Sequence, residues 1–201
     1  NPPSYVSTTP DAVSASVTVG AATAVDFGDF AGIKITGQVF DDADVDGVNT
    51  GTGLAGAVVT TGGDSATTAG DGLYTLYVSL GGGGAVTIVE TDPAGYVSTN
   101  AVPGTGMTRV DANTLRIASP AAGTVYRNGD FGDTLADDVV TISGQVWNDN
   151  GSGGGVAANG VQDGTEPGLS GAVVSLSSGM SQQTGADGTF VLYAPANQAV
   201  T

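Results

Sequence analysis

Ile33–Thr60, IKITGQVFDDADVDGVNTGTGLAGAVVT, opens on a strict alternation. Ile33, Ile35, Gly37 and Val39 fall on one side and Lys34, Thr36, Gln38 and Phe40 on the other. A period of two with one apolar side is the signature of a half-buried β-strand. An acidic, Gly-bearing loop follows, and Ala57–Thr60 reads as a second strand. A near-copy of the stretch returns at Thr141–Ser175: TISGQVWNDN, a Gly/Ala-rich insertion, then ANGVQDGTEPGLSGAVVS. Other landmarks recur as well. GDGLYTLY at Gly70–Tyr77 returns as ADGTFVLY at Ala186–Tyr193, PPSYVST at Pro2–Thr8 as PAGYVST at Pro93–Thr99, and DFGDF at Asp26–Phe30 as DFGDT at Asp130–Thr134. Repetition on this scale marks an array of similar units.

Composition agrees with an all-β chain. Of 201 residues, 40% are apolar, 34 are Gly and only 12% are charged. Short Thr/Val-rich runs broken by Asp-Gly and Gly-Gly pairs signal strands and tight turns. No stretch holds a helical period, and no apolar run is long enough to span a membrane. Twenty acidic residues against four basic ones give a net charge of −16. A surface so charged repels nucleic acid and anionic lipid, so neither those partners nor membrane insertion is expected. With no His, no Cys and a single Lys, the usual nucleophile–base pairs cannot be assembled. A carboxylate-pair hydrolase would need Glu90 and Glu166, which fall in different units, so no enzyme is expected.

The landmarks divide the chain into three. Residues 1–30 match the back half of a β-sandwich unit, with strands expected around Val13–Val19 and Ala24–Phe30. Residues 31–134 form a complete unit. Tyr74, Leu76 and Val78 share one face, as do Val86, Ile88 and Glu90, and further strands are expected around Thr114–Ile117 and Gly123–Phe131. About seven short strands in about a hundred residues suit a two-sheet sandwich. Residues 135–201 match the front half of a unit, with Val140, Ile142, Gly144 and Val146 facing inward. Phe40 and Trp147 read as lids over the core edge. The chain opens at Asn1 without an initiator Met or signal peptide, so it is expected to be a processed product or a window of something longer.

The two end segments together account for nearly one unit, lacking only the counterparts of Ile88–Thr91. Two readings follow: a period of a longer tandem chain, or separate copies completing one another head to tail. The second is a heterologous contact that propagates as a filament. An arbitrary boundary falling inside a unit is the plain alternative. An opening segment folded back onto residues 135–201, or floating free of any sheet, would count against the fibre. Short connections at Ala31–Gly32 and at LADDV (135–139) predict a stiff rod.

The motifs GQVWND…NGVQDGTEPGLSGAVVSL, TGADGTF, PPSYVST and VDFGDF resemble the B-type repeats of bacterial surface proteins, the Cna-B-like and serine-aspartate-repeat (Sdr) B-like domains. The resemblance covers essentially the whole chain in permuted order. It implies tandem immunoglobulin-like (prealbumin-like) β-sandwiches, bound Ca2+, and a place at the cell surface as a stalk, adhesin or fibre subunit. Some members form a Lys–Asn or Lys–Asp isopeptide bond beside a buried Glu. Glu90 matches that Glu, but Lys34 is in the outward phase and its counterpart is Thr141, so the bond is not expected here.

The acidic loops carry the chemistry. Calcium takes about six to eight oxygens. Asp42, Asp44 and Asp46 alternate ahead of Gly47, the carbonyl of Val48 follows at the seventh position of an EF-hand-like count, and Thr50 falls at the ninth. Gly53 falls at the twelfth, where an acid is wanted. In the second copy Asp149 and Asn150 precede the insertion Gly151–Ala158. Asn159, Val161, Asp163 and Glu166 then fall at fifth, seventh, ninth and twelfth spacing, and the resemblance supports them as ligands. The other reading of both loops is an Asp-rich turn solvated without metal. Asp26, Asp29, Asp130 and Asp133 flank Phe27 and Phe131, whose rings are expected in the core, with a junction calcium a further option. The functional expectation is a calcium-stiffened structural subunit or tandem repeat of an extracellular filament or surface layer; the alternative is a stalk or ligand-binding part of a surface adhesin.

Overall fold

The computed structural model describes residues 1–197 and 199–201. The alternation at residue 33 becomes a strand nine residues long, β3 (Ile33–Asp41), and two sheets assemble around its inward side. In chain order β1 is Tyr5–Ser7 and β2 Asp29–Ala31; after β3 come β4 (Val58–Thr60), β5 (Ser65–Thr67), β6 (Leu73–Val78), β7 (Val86–Thr91), β8 (Tyr96–Val102) and β9 (Thr108–Asp111). There follow β10 (Thr114–Ile117), β11 (Val125–Tyr126), β12 (Asp130–Leu135), β13 (Val139–Gln145), β14 (Val173–Ser175), β15 (Ser181–Gln183) and β16 (Thr189–Pro195). The only helical segments among the described residues are two 3₁₀ turns, Ala136–Asp138 and Ser152–Gly154. The chain is all-β.

One sheet runs β5-β4-β7-β10-β9 and the other β11-β3-β12-β8, with β6 also paired to β3. Ile33, Ile35 and Val39 from β3 meet Leu76, Ile88, Leu115 and Phe131 in one buried cluster between them. Burying each such side chain contributes about 1.5–3 kcal/mol, which fixes the register, since a one-residue slip would turn the apolar side outward. β3 pairs with β12 in parallel, Val39 opposite Phe131 and Asp41 opposite Asp133. This pairing brings the start of the acidic loop against the end of β12. Phe40 is fully buried on the other side of β3. It fits because residue 132 is Gly, where a methyl group would come within 2.7 Å of the Phe40 ring.

The repetition in the sequence is a repetition of local backbone. Leu54 N–H donates to Val39 O (2.9 Å), and Leu169 N–H to Val146 O (2.8 Å). Gln38 Nε2 donates to Asp71 O (2.9 Å), and Gln145 Nε2 to Asp187 O (2.7 Å). Thr68 Oγ1 donates to Leu54 O (2.7 Å), and Thr184 Oγ1 to Leu169 O (2.5 Å). Phe40 bridges Gly53 as Trp147 bridges Gly168.

The end segments depart from expectation. No strand forms over Val13–Val19, and of the second expected strand, Ala24–Phe30, only Asp29 and Phe30 pair, in a strand Asp29–Ala31 set against Tyr5–Ser7. A two-stranded ribbon is marginal without a third strand or a packed face, and residues 8–28 have no sheet to join. They do not fold back onto residues 135–201 as a sheet, but they are free of any sheet, which within one chain counts against the fibre expectation. Phe27 is 58% exposed rather than in the core, whereas Phe131 is buried as expected. In the closing segment β13 pairs only with β16, so its inward side is thinly covered: Val140 is exposed, and Ile142 and Val146 are half-buried.

Candidate metal centre

The loop after β3 folds around Asp42. Its carboxylate is buried and accepts the backbone N–H of Asp46 (Oδ1, 3.1 Å) and of Gly47 (Oδ2, 3.0 Å), together with the hydroxyl of Thr99 from β8. Gly47 has φ +73°, the left-handed region that glycine enters without penalty, and its N–H is thereby aimed back at Asp42. Asp46 Oδ1 in turn accepts Val48 N–H at 2.7 Å. Burial raises the pKa of Asp42, opposed by the bonds from Thr99, Gly47 and Asp46 and assisted by the nearby Asp46 carboxylate. Oxygens of Asp42, Asp44 and Asp46 lie within 4.8 Å of one another. Three carboxylates so close repel unless a cation or protons intervene. An all-oxygen donor set of hard anionic groups suits a hard divalent cation such as Mg2+, Ca2+ or Mn2+ and gives no preference to softer metals.

Of the five residues expected as ligands in this loop, the three carboxylates converge. Val48 joins through its N–H to Asp46, and its side chain is exposed. Thr50 is exposed and stands outside the trio. Its neighbour Asn49 instead ties the loop down, Nδ2 donating to Gln38 Oε1 (2.9 Å) and Asp130 Oδ2 (3.1 Å). Gly53 cannot carry a closing acid, because a side chain there would strike the backbone of Asp71.

The second loop repeats the anchor. Asp149 accepts the N–H of Asn159 (3.2 Å) and Gly160 (2.8 Å), as Asp42 accepts those of Asp46 and Gly47, and Asn159 Oδ1 accepts Val161 N–H at 2.7 Å. Asp149 and Asn159 are therefore the counterparts of Asp42 and Asp46. Because Gly168 and Gly53 share the bridge position, Glu166 lies two residues ahead of the counterpart of Gly53, in residues the first loop lacks. The remaining acids are held by amides. Glu166 is buried, with Oε1 accepting Gly151 N–H (2.7 Å) and Oε2 accepting Asp163 N–H (3.2 Å). Asp163 accepts Val156 N–H (3.0 Å) and Asn159 Nδ2 (2.9 Å). Asn150 Oδ1 accepts the hydroxyl (2.5 Å) and N–H (3.0 Å) of Ser152, and so closes the insertion on itself. These acids do not form a convergent trio like that of the first loop.

A second convergent group exists among the described residues, Glu90, Asp92 and Asp133; the sequence offered Asp133 for a junction calcium and Glu90 as a buried Glu, but did not join them or include Asp92. The available signal was the phase of Glu90, which shares the inward side of β7 with Val86 and Ile88. Lys34 lies apart, its Nζ 5.5 Å from the centre of the Tyr77 ring. No protein-family model matches the chain, and no curated protein matches it.

Proposed function

We propose that the chain is a non-catalytic structural module of an extracellular filament or surface layer, built from immunoglobulin-like β-sandwich units and stapled by calcium at the Asp42–Val48 loop. The observation that carries the reading is the Asp42/Asp44/Asp46 trio on a loop whose hydrogen-bond frame recurs around Asp149. Asp42, Asp44 and Asp46 would hold the ion, and the amides of Asp46 and Gly47 with the Thr99 hydroxyl would orient Asp42 toward it. The bound ion neutralises charge that otherwise opposes closure of the loop. In a chain without cysteine it takes the place of a disulfide.

Head-to-tail contact between copies is part of this reading. What speaks for it is the closing segment, which exposes Val140, Val173 and Val191, while residues 8–28, free of any sheet in their own chain, speak against it. Assembly requires the opening segment of one copy to take up strand pairing with residues 135–201 of the next. Electron microscopy of the purified protein in millimolar calcium is expected to show rods with a regular repeat that fall apart in chelator. Dispersed particles under both conditions would overturn the filament, and an unchanged melting temperature on chelation would overturn the staple.

A further inference from the structure

Acids at core-facing positions need a reason. Along β7 the inward side chains are Val86, Ile88 and Glu90, and along β12 they include Phe131 and Asp133. These strands belong to opposite sheets, so the alternation that builds the apolar core also points two carboxylates into the same end of the sandwich. Glu90 is 2% exposed and Asp133 0%. All four of their carboxylate oxygens are buried without a hydrogen-bond partner among the described residues. Asp92, one turn of the alternation beyond Glu90, completes the group, with an oxygen of each residue within 4.8 Å of the others.

The neighbours do not relieve this charge. Ser98 Oγ donates to Asp92 Oδ1 (2.5 Å), its N–H to Asp92 Oδ2 (3.1 Å), and Asn113 Nδ2 to Asp92 Oδ1 (3.2 Å). These bonds hold Asp92 beside the two buried acids, with the Ser98 hydroxyl near Asp133 as well. Arg109 lines the same cleft, but its guanidinium donates to the carbonyls of Ser181 (3.0 Å) and Asp111 (3.3 Å). Burying one unpaired carboxylate costs several kcal/mol, and a cation is the compensation that serves three at once.

We propose that Glu90, Asp92 and Asp133 form a second calcium site, closed between the two sheets and entered through the cleft beside β15 and β16. The cleft, about 490 Å³, is lined by Glu90, Asp92 and Ser98 on one side and by Gln182 and Tyr193 on the other, which gives the ion and its remaining waters a path. One oxygen of each carboxylate, completed by waters that enter through the cleft, would meet the large and irregular oxygen shell of calcium; magnesium, which dehydrates reluctantly, suits a nearly dry site poorly. The inference takes from the loop reading only the identity of the ion. The two sites touch through the backbone, since Asp42 N–H donates to Asp133 O at 2.8 Å.

Counting bound calcium by equilibrium dialysis tests the site on the full chain, with a loop variant (Asp44→Asn with Asp46→Asn) and a core variant (Glu90→Gln with Asp133→Asn). The core variant is expected to bind one ion fewer than the parent, and the loop variant to keep the ion that the core variant loses. In chelator at about pH 9 and above, where both carboxyls ionise in the metal-free protein, the core variant is expected to melt no lower than the parent, because two buried charges have been removed. A core variant that binds as many ions as the parent, or melts lower in chelator at that pH, overturns the site. Should only the loop variant lose an ion, the core site fails and the loop staple stands; should only the core variant lose one, the reverse holds.

Discussion

Thr68 shows how much one side chain carries. Its hydroxyl is buried, donates to Leu54 O (2.7 Å) and accepts Ala57 N–H (3.1 Å), so it pins the exit of the acidic loop to the start of β4. Thr68→Val keeps the volume and strands both backbone groups, at a cost of about 1–3 kcal/mol. The expected loss is read as a lower urea midpoint, with Thr184→Val producing the matching effect in the closing segment. The buried acids carry a different signature. Burial, with the charges of Asp133 and Asp92, raises Glu90 to about 9, and burial, with Asp92 and Asp42, raises Asp133 to about 7. A folded carboxyl with a raised pKa binds more protons than the unfolded one, so stability falls as pH rises from its unfolded pKa to its folded one. Metal-free protein is therefore expected to lose stability from about pH 4 to pH 7 through both groups, and on to pH 9 through Glu90 alone. Thermal melts in chelator across that range check the sign, and Glu90→Gln is expected to flatten the upper part.

Elements were legible in the sequence where a strand keeps one face on its own core. The alternations of β3, β6 and β7 predicted the buried positions Ile33, Ile35, Val39, Tyr74, Leu76, Val86 and Ile88. Residues 13–19 alternate as well and form no strand, because propensity without a neighbouring sheet leaves the backbone better solvated by water. The front of the acidic loop was legible from its alternating Asp, and so was the lack of a closing acid at Gly53, whereas the tie from Asn49 to Gln38 and Asp130 was not, since it depends on the placement of β12. The core acids were hidden for another reason: each looks like a single lapse in an apolar side, and only the pairing of β12 with β3 brings Asp133 into place. Nor did spacing reveal Val45. This residue sits at φ +57°, uncommon for a β-branched side chain, and is buried with Met180 and Leu192 of the closing segment. The loop that carries the acidic trio thus inserts Val45 into the small core of the closing segment. Val45→Asn tolerates the backbone angle and removes the packing. It is expected to speed amide exchange along β16 while the exchange of β3 and β7 is unchanged, and equal protection of β16 in both proteins would dismiss the coupling.

At the scale of the whole molecule, charge and apolar exposure pull in opposite directions. A net charge of −16 keeps copies apart, and the exposed valines of both end segments favour contact. A divalent ion bound at an acidic loop would remove two charges from the repulsion and so shift that balance toward contact. The end segments then decide whether contact becomes a filament. Val17 is 85% exposed, and Val19 is wholly so. Replacing both by Asp therefore changes the stability of a single chain by no more than about 0.5 kcal/mol per site. If these side chains enter the sheet of a neighbouring copy, the same change buries two unpaired charges and abolishes assembly. Sedimentation in millimolar calcium is expected to give a single monomer boundary for Val17→Asp with Val19→Asp and fast, polydisperse material for the parent, with identical melting curves at low concentration. Assembly of the variant at the parent's concentration would place the contact elsewhere and leave residues 8–28 without a part in it.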